Sequence, residues 1–100
     1  MPDKVTVEFT EHGYLHLDAD VAQTYFPNDV LVVLVRGAEA WLMPMRGAAG
    51  GGLMLKQRNL QGDRTVLIWE AIPENTPVGM RPAFWDEKAG ALRVALEARA

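Results

Sequence analysis

Hydrophobic and polar residues alternate over much of this chain with the period of two that marks a half-buried strand. In Lys4-Val5-Thr6-Val7-Glu8-Phe9, the apolar positions Val5, Val7 and Phe9 share one face. Thr10-Glu11-His12-Gly13 supplies a turn whose glycine can take positive φ, and Tyr14-Leu15-His16-Leu17 alternates again, so the two runs predict a hairpin. Asp18 is a good helix N-cap residue. Val21, Ala22, Tyr25 and Phe26 then fall on one side of a short helix over residues 19–26, which Pro27 ends in the turn Pro27-Asn28-Asp29.

Residues 30–35 (VLVVLV) are β-branched or leucine and apolar at every position, the pattern of a strand covered on both faces at the centre of a core. Gly37-Ala38-Glu39 turns the chain into Ala40-Trp41-Leu42-Met43-Pro44-Met45, where Pro44 implies an edge position or a strand end. Residues 47–52 form a glycine-rich connection. Residues 53–58 and 64–72 predict a second hairpin across the loop 59–63, and residues 73–80, with two prolines and Gly79, form the longest loop. Arg81-Pro82-Ala83-Phe84-Trp85 and residues 91–96 predict a third hairpin. A helix over residues 87–98 is the rival, since Ala, Leu, Glu and Arg favour it, but Gly90 would interrupt it near its start.

These elements predict a mainly β fold of hairpins with one short α-helix, arranged as a small barrel or two packed sheets. At 100 residues the chain has room for one modest core, so residues 1–100 are read as a single domain with halves 1–46 and 53–100. Hydrophobic residues at 49% and charged residues at 23% place it among folded proteins and away from disorder. The N-terminus lacks a basic segment followed by an apolar run, and residues 30–35 are too short to cross a bilayer as a helix, so the default expectation is cytoplasmic and without membrane contact.

There is no cysteine and no serine, which excludes thiolate-bound zinc, disulfides, and hydrolases built on a Cys or Ser nucleophile. Net charge is -3 and uneven. Residues 1–46 carry three basic and seven acidic side chains, a balance of -4, whereas residues 47–100 carry seven basic and six acidic, a balance of +1. An acidic first half is a poor surface for nucleic acid, whose affinity rests on Lys and Arg neutralising phosphates.

In its order of elements, residues 5–44 resemble the swapped-hairpin β-barrel family of AbrB, MazE-type antitoxins and MraZ. The likeness runs from a strand through the His12-Gly13 turn, Tyr14-Leu15-His16-Leu17, a short helix, Pro27-Asn28-Asp29 and an apolar strand to Leu42-Met43-Pro44. Gly13 would match the glycine before the family's second strand, and Asn28-Asp29 its Gly-Asp. The resemblance implies a dimer whose protomers each give half a barrel, and DNA binding through basic residues near the helix. The chain departs from the pattern there: Asp18 stands where a proline is expected, and the helix carries Asp20, Gln23 and Thr24 with no Lys or Arg.

Candidate chemistry is sparse. His12, His16 and Asp18 are the candidate metal ligands, since His16, Asp18 and Tyr14 share a strand face that His12 could approach from the turn. A solvated strand face with a polar turn is the favoured reading, since no His-x-x-x-His spacing or cysteine supports a metal. The glycine run lacks the Lys-Ser/Thr ending of a phosphate cradle. Lys56, Arg58 and Arg64, with Arg81 nearby, form a small basic patch able to meet an acidic partner or a nucleic-acid backbone, unless it is an ordinary solvated face, and Trp41 and Trp69 are candidate interface anchors beside Trp85. The expected function is a non-enzymatic accessory module that needs no cofactor and contacts another protein, as a homodimer. A swapped-hairpin DNA-binding regulator or antitoxin is the alternative.

Overall fold

A computed structural model describes residues 4–47 and 51–97 of the chain; the middle of the glycine-rich connection and both termini lie outside them. Alternation sets the first hairpin as expected: β1 (Lys4–Phe9) pairs antiparallel with β2 (Tyr14–Leu17), with Phe9 opposite Leu15. Val7, Phe9, Leu15 and Leu17 all face the core, so both strands present the same side inward. Helix α1 (Ala19–Tyr25) buries Val21, Ala22 and Tyr25. Asp18 is its N-cap residue, as expected. Asp18 sits in extended backbone at the cap position but makes no side-chain cap bond; the Ala19 N–H donates instead to Asp63 Oδ1 at 2.9 Å.

Strands β3 (Val30–Arg36) and β4 (Glu39–Pro44) form the next hairpin, in full register from Arg36 opposite Glu39 to Leu31 opposite Pro44. The structure overturns the reading of β3 as a doubly covered strand. Val30 and Leu31 are buried, yet Leu34 and Val35 are about two-fifths exposed. Burial fades because β3 loses its second neighbour partway along, as described below.

The hairpin predicted across the loop 59–63 forms, with Lys56 opposite Thr65, but its strands are much shorter than predicted. Residues 53–57 make two minimal strands, β5 (Leu53–Met54) and β6 (Lys56–Gln57), and β7 spans only Arg64–Leu67. The strand stops there because the Gly13 carbonyl accepts the N–H groups of both Ile68 (2.9 Å) and Trp69 (3.1 Å), which bends the chain into a 3₁₀ turn over Trp69–Ala71. Trp69 therefore leaves the sheet. The third hairpin forms as predicted: β8 (Gly79–Asp86) pairs with β9 (Ala91–Ala95), so residues 91–95 are strand.

All nine strands belong to one antiparallel sheet in the order β5-β3-β4-β9-β8-β1-β2-β7-β6, a nearly closed barrel. Its two ends are consecutive in the chain, separated only by Leu55. β5 pairs with β3 (Leu31 opposite Leu53), and β6 pairs with β7 (Lys56 opposite Thr65), so the single run 53–57 closes the barrel by serving two neighbours in turn. Asp29 anchors the closure: its carbonyl accepts Leu55 N–H at 2.8 Å and its carboxylate accepts Arg64 Nε at 3.0 Å. The core inside holds Leu31, Leu42, Leu92, Val94 and Ile68, with Phe26 brought in by α1. Trp85 packs against this core and stacks on Tyr25 with ring centroids 4.9 Å apart. No helix among the described residues is long and apolar enough to cross a membrane.

On the outer face, cross-strand register lines up Trp41, Arg93 and Phe84 on β4, β9 and β8. The Arg93 guanidinium lies 4.7 Å from the Trp41 ring and 4.8 Å from the Phe84 ring, and donates to Glu39 Oε1 (2.7 Å) and Asp86 Oδ2 (3.0 Å). Backbone donation from Ala89, then Arg93, holds the Asp86 carboxyl below its ordinary value. Asp63 is lowered in the same way, first by Asn59 and then by the Ala19 N–H. Because both are depressed in the folded state, their contribution is present above the ordinary aspartate value of 3.8 and is lost as pH falls below it through the lower folded value. The thermal midpoint is expected to hold steady down to about pH 5 and to drop below about pH 4. An Asp63→Asn, Asp86→Asn double variant should flatten that acid limb in a pH series of thermal melts.

Candidate interaction surfaces

The economy of the closure leaves edges uncovered. Met45 N–H donates to Val30 O, so the even-numbered residues of β3 turn their backbone groups toward β4 and the odd-numbered ones toward the opposite edge. On that edge Leu31 meets Leu53, but the N–H and C=O groups of Val33 and Val35 have no backbone partner among the described residues. The same phase argument applies to β7, where Ile68 N–H binds Gly13 O: Thr65 faces Lys56, and Leu67 has no strand opposite it. The Trp69–Ala71 turn lies between these edges, close to β3, without forming a backbone hydrogen bond to it.

Large apolar side chains gather along this seam. Leu34 and Val35 are exposed on β3, and Tyr14, Met54, Leu67 and Trp69 are exposed on the other side, Trp69 by 52%. Tyr14 and Leu67 are register partners. With Trp69, Tyr14 forms a ridge between two clefts. One, of about 460 Å³, runs between β5 and β7 and is walled by Met54, Leu67 and Ala71, with Lys56 and Glu70 at its rim. The other, of about 400 Å³, lies under the loop before β8 and is floored by Phe9, Ile68 and Ile72. Exposed aromatic and apolar side chains gathered in this way are enriched at protein-contact surfaces in general.

Of the residues singled out in the sequence, Trp69 lies at the centre of this surface and Lys56 on its rim. Trp41 is half-buried, its indole N–H donating to Glu39 Oε1 and its ring covered by Arg36 and Arg93. The basic patch is dispersed. Arg64 is bound to Asp29 and to the Gly62 carbonyl, and Arg58 lies past the end of β6. Arg81, far from being nearby surface, is 3% exposed. Its side chain enters the barrel beside Val7, donates to the carbonyls of Pro77, Val78 and Met80, and lies over the Phe9 ring.

The histidines are separated by role. His16 is on the outer face with Nδ1 3.6 Å from Glu8 Oε1, opposite Thr65, whereas His12 lines the cleft under the β8 loop and Asp18 is exposed beyond β2. Among the described residues, no three His, Asp or Glu side chains are grouped so as to hold a metal ion. Comparison with family models, curated proteins and solved structures finds no match to this chain.

Sequence reasoning missed Leu67 and the β3 edge as surface, and read the face of Tyr14 only as a solvated polar face or metal site. The available signal was Gly13. It has φ +86°, and a Cβ there would lie 2.7 Å from Trp69 Cβ, so the glycine both permits the turn and seats the tryptophan. Gly13→Ala is expected to cost about 3 kcal/mol and to shift Trp69 emission. Gly37→Ala, where φ is +58° with open space around it, should cost about 1 kcal/mol and leave emission unchanged. Urea unfolding followed by fluorescence distinguishes the two.

Proposed function

We propose that this protein is a non-enzymatic accessory module that dimerises through the free edge of β3 and holds another protein at the Tyr14–Trp69 ridge. The observation that carries the reading is the unpaired edge of β3, apolar from Val32 to Val35, on a barrel otherwise closed on itself. Exposed edges of this kind are templates for strand addition, and proteins that avoid it place charge or proline there. This edge has neither before Arg36.

Its geometry favours a second copy. The free groups belong to Val33 and Val35, which are symmetric about Leu34. An antiparallel pair centred on Leu34 sets Val33 against Val35 of the other copy in both directions, satisfying every free group and bringing the two Leu34 side chains together. Arg36 then falls opposite Val32 of the other copy, so the two arginines stay at opposite ends. A contact of one strand pair is small beside a stable interface of about 1,600 Å², so the dimer is expected to be weak and concentration-dependent.

The non-enzymatic part of the reading rests on the missing Cys and Ser nucleophiles. The alternative, a DNA-binding regulator of the swapped-hairpin kind, has less support because Arg64, Arg81 and Arg93 are engaged within the fold.

Sedimentation across micromolar concentrations should show a shift from monomer to dimer. Leu34→Lys puts a charge at the centre of the pair, and Val35→Pro removes an N–H that β4 does not use. Both variants should remain monomeric with unchanged circular dichroism. A wild-type protein that stays monomeric throughout would overturn the dimer. A tagged copy from the native host is expected to retain a stoichiometric partner that a Trp69→Lys copy loses, and recovery of the wild type alone would count against the partner.

A further inference from the structure

The two clefts beside the ridge differ in charge. The one under the β8 loop, floored by Phe9, Ile68 and Ile72, is also lined by the exposed Tyr14, Trp69 and Val78 and by two exposed carboxylates, Glu11 and Glu74. Neither carboxylate is ion-paired with a described residue, and no Lys or Arg lines the cleft. His12 is its one basic-type side chain. The nearest buried cation, Arg81, is behind Phe9 with its donors turned to the carbonyls of Pro77, Val78 and Met80. An apolar slot lined by aromatic side chains and carboxylates complements a group with an aliphatic stem and a cationic head. The stem lies against Ile72 and Val78, while the head meets the faces of Tyr14 and Trp69 and the two carboxylates.

From this complementarity we infer that the cleft binds the side chain of a lysine or arginine on an exposed segment of the partner protein. The inference deepens the reading of the protein as a binding module and rests on it for the source of the side chain. It concerns a different surface from the β3 edge. The cleft between β5 and β7, with Lys56 and Glu70 of opposite sign at its rim, has no such preference.

The test uses small probes, so that its failure leaves the sedimentation result standing. Indole and backbone amide NMR signals are followed during titration with an acetylated, amidated lysine and with its norleucine counterpart, which keeps the four-carbon stem and lacks the charge. The lysine derivative is expected to move the Trp69 indole and the Gly13 and Glu74 amide signals with an affinity of about 1 mM, as befits a single side chain. Norleucine should bind at least about tenfold more weakly, a difference of about 1.4 kcal/mol. Glu11→Gln with Glu74→Gln should remove most of that difference, and Trp69→Leu, which keeps an apolar group against Gly13, should weaken the lysine derivative several-fold. Equal binding of the two derivatives, or unchanged preference in the double Gln variant, would overturn the inference and make the cleft a plain apolar anchor site. Absence of any shift with the lysine derivative would overturn it as well.

Discussion

Closure of the sheet by residues 53–57 is the constraint on which the rest of this structure depends. A barrel needs every strand to find two neighbours, and here one short run must serve both β3 and β7. It does so by crossing from one to the other at Leu55, whose side chain is buried and whose N–H is held by Asp29. Asp29 has positive φ (57°), which points its carbonyl at Leu55 while its carboxylate reaches Arg64 at the start of β7. One residue thus ties together the turn after α1, the crossing strand and the last strand of the sheet. Gly52 is placed by the same demand: a Cβ there would lie 2.5 Å from Val30, so the chain entering β5 can approach β3 only without a side chain.

A run of five residues cannot cover two strands along their whole length. The cost of this closure is a seam that opens away from α1, where β3 past Leu31 keeps only β4 as a neighbour and β7 past Thr65 keeps only β2. The 3₁₀ turn occupies part of that seam and, in doing so, brings Trp69 to the surface beside Tyr14. The exposed apolar groups are therefore a consequence of how the barrel closes. The proposed strand addition and ligand cleft both use what the closure leaves over, one through backbone groups and the other through side chains.

What could be read from the sequence follows the range of the interactions involved. The β1–β2 and β8–β9 hairpins and the buried side of α1 were legible because alternation, turn glycines and helical spacing are local signals. Residues 30–35 misled because an unbroken apolar run looks the same whether the second face is covered by the core or left at an edge. Where β7 ends was invisible, since its stop is set by a carbonyl more than fifty positions earlier in the chain, at Gly13. Asp18 was legible as the N-cap of α1, but its side chain makes no cap bond; Asp63, just before the neighbouring strand β7, accepts the Ala19 N–H, a partner that only the β2–β7 register brings within reach. Trp69 and Lys56 were legible as surface candidates. Leu67, and its pairing with Tyr14 as an apolar surface, were not, because only the register of β2 against β7 sets them side by side.

The arginines show how folding redistributes what composition counts. Read along the chain, the second half is slightly basic and invites an anionic partner. In the fold, Arg64 is bound to Asp29, Arg93 is bound between two carboxylates and two aromatic rings, Arg36 covers the outer ring of that stack, and Arg81 binds backbone carbonyls inside the barrel. Each of these cations has a structural task. Counting charge along the chain therefore misjudges the surface: four of the arginines are engaged within the scaffold, and the ridge and clefts proposed to meet a partner are mainly apolar and aromatic.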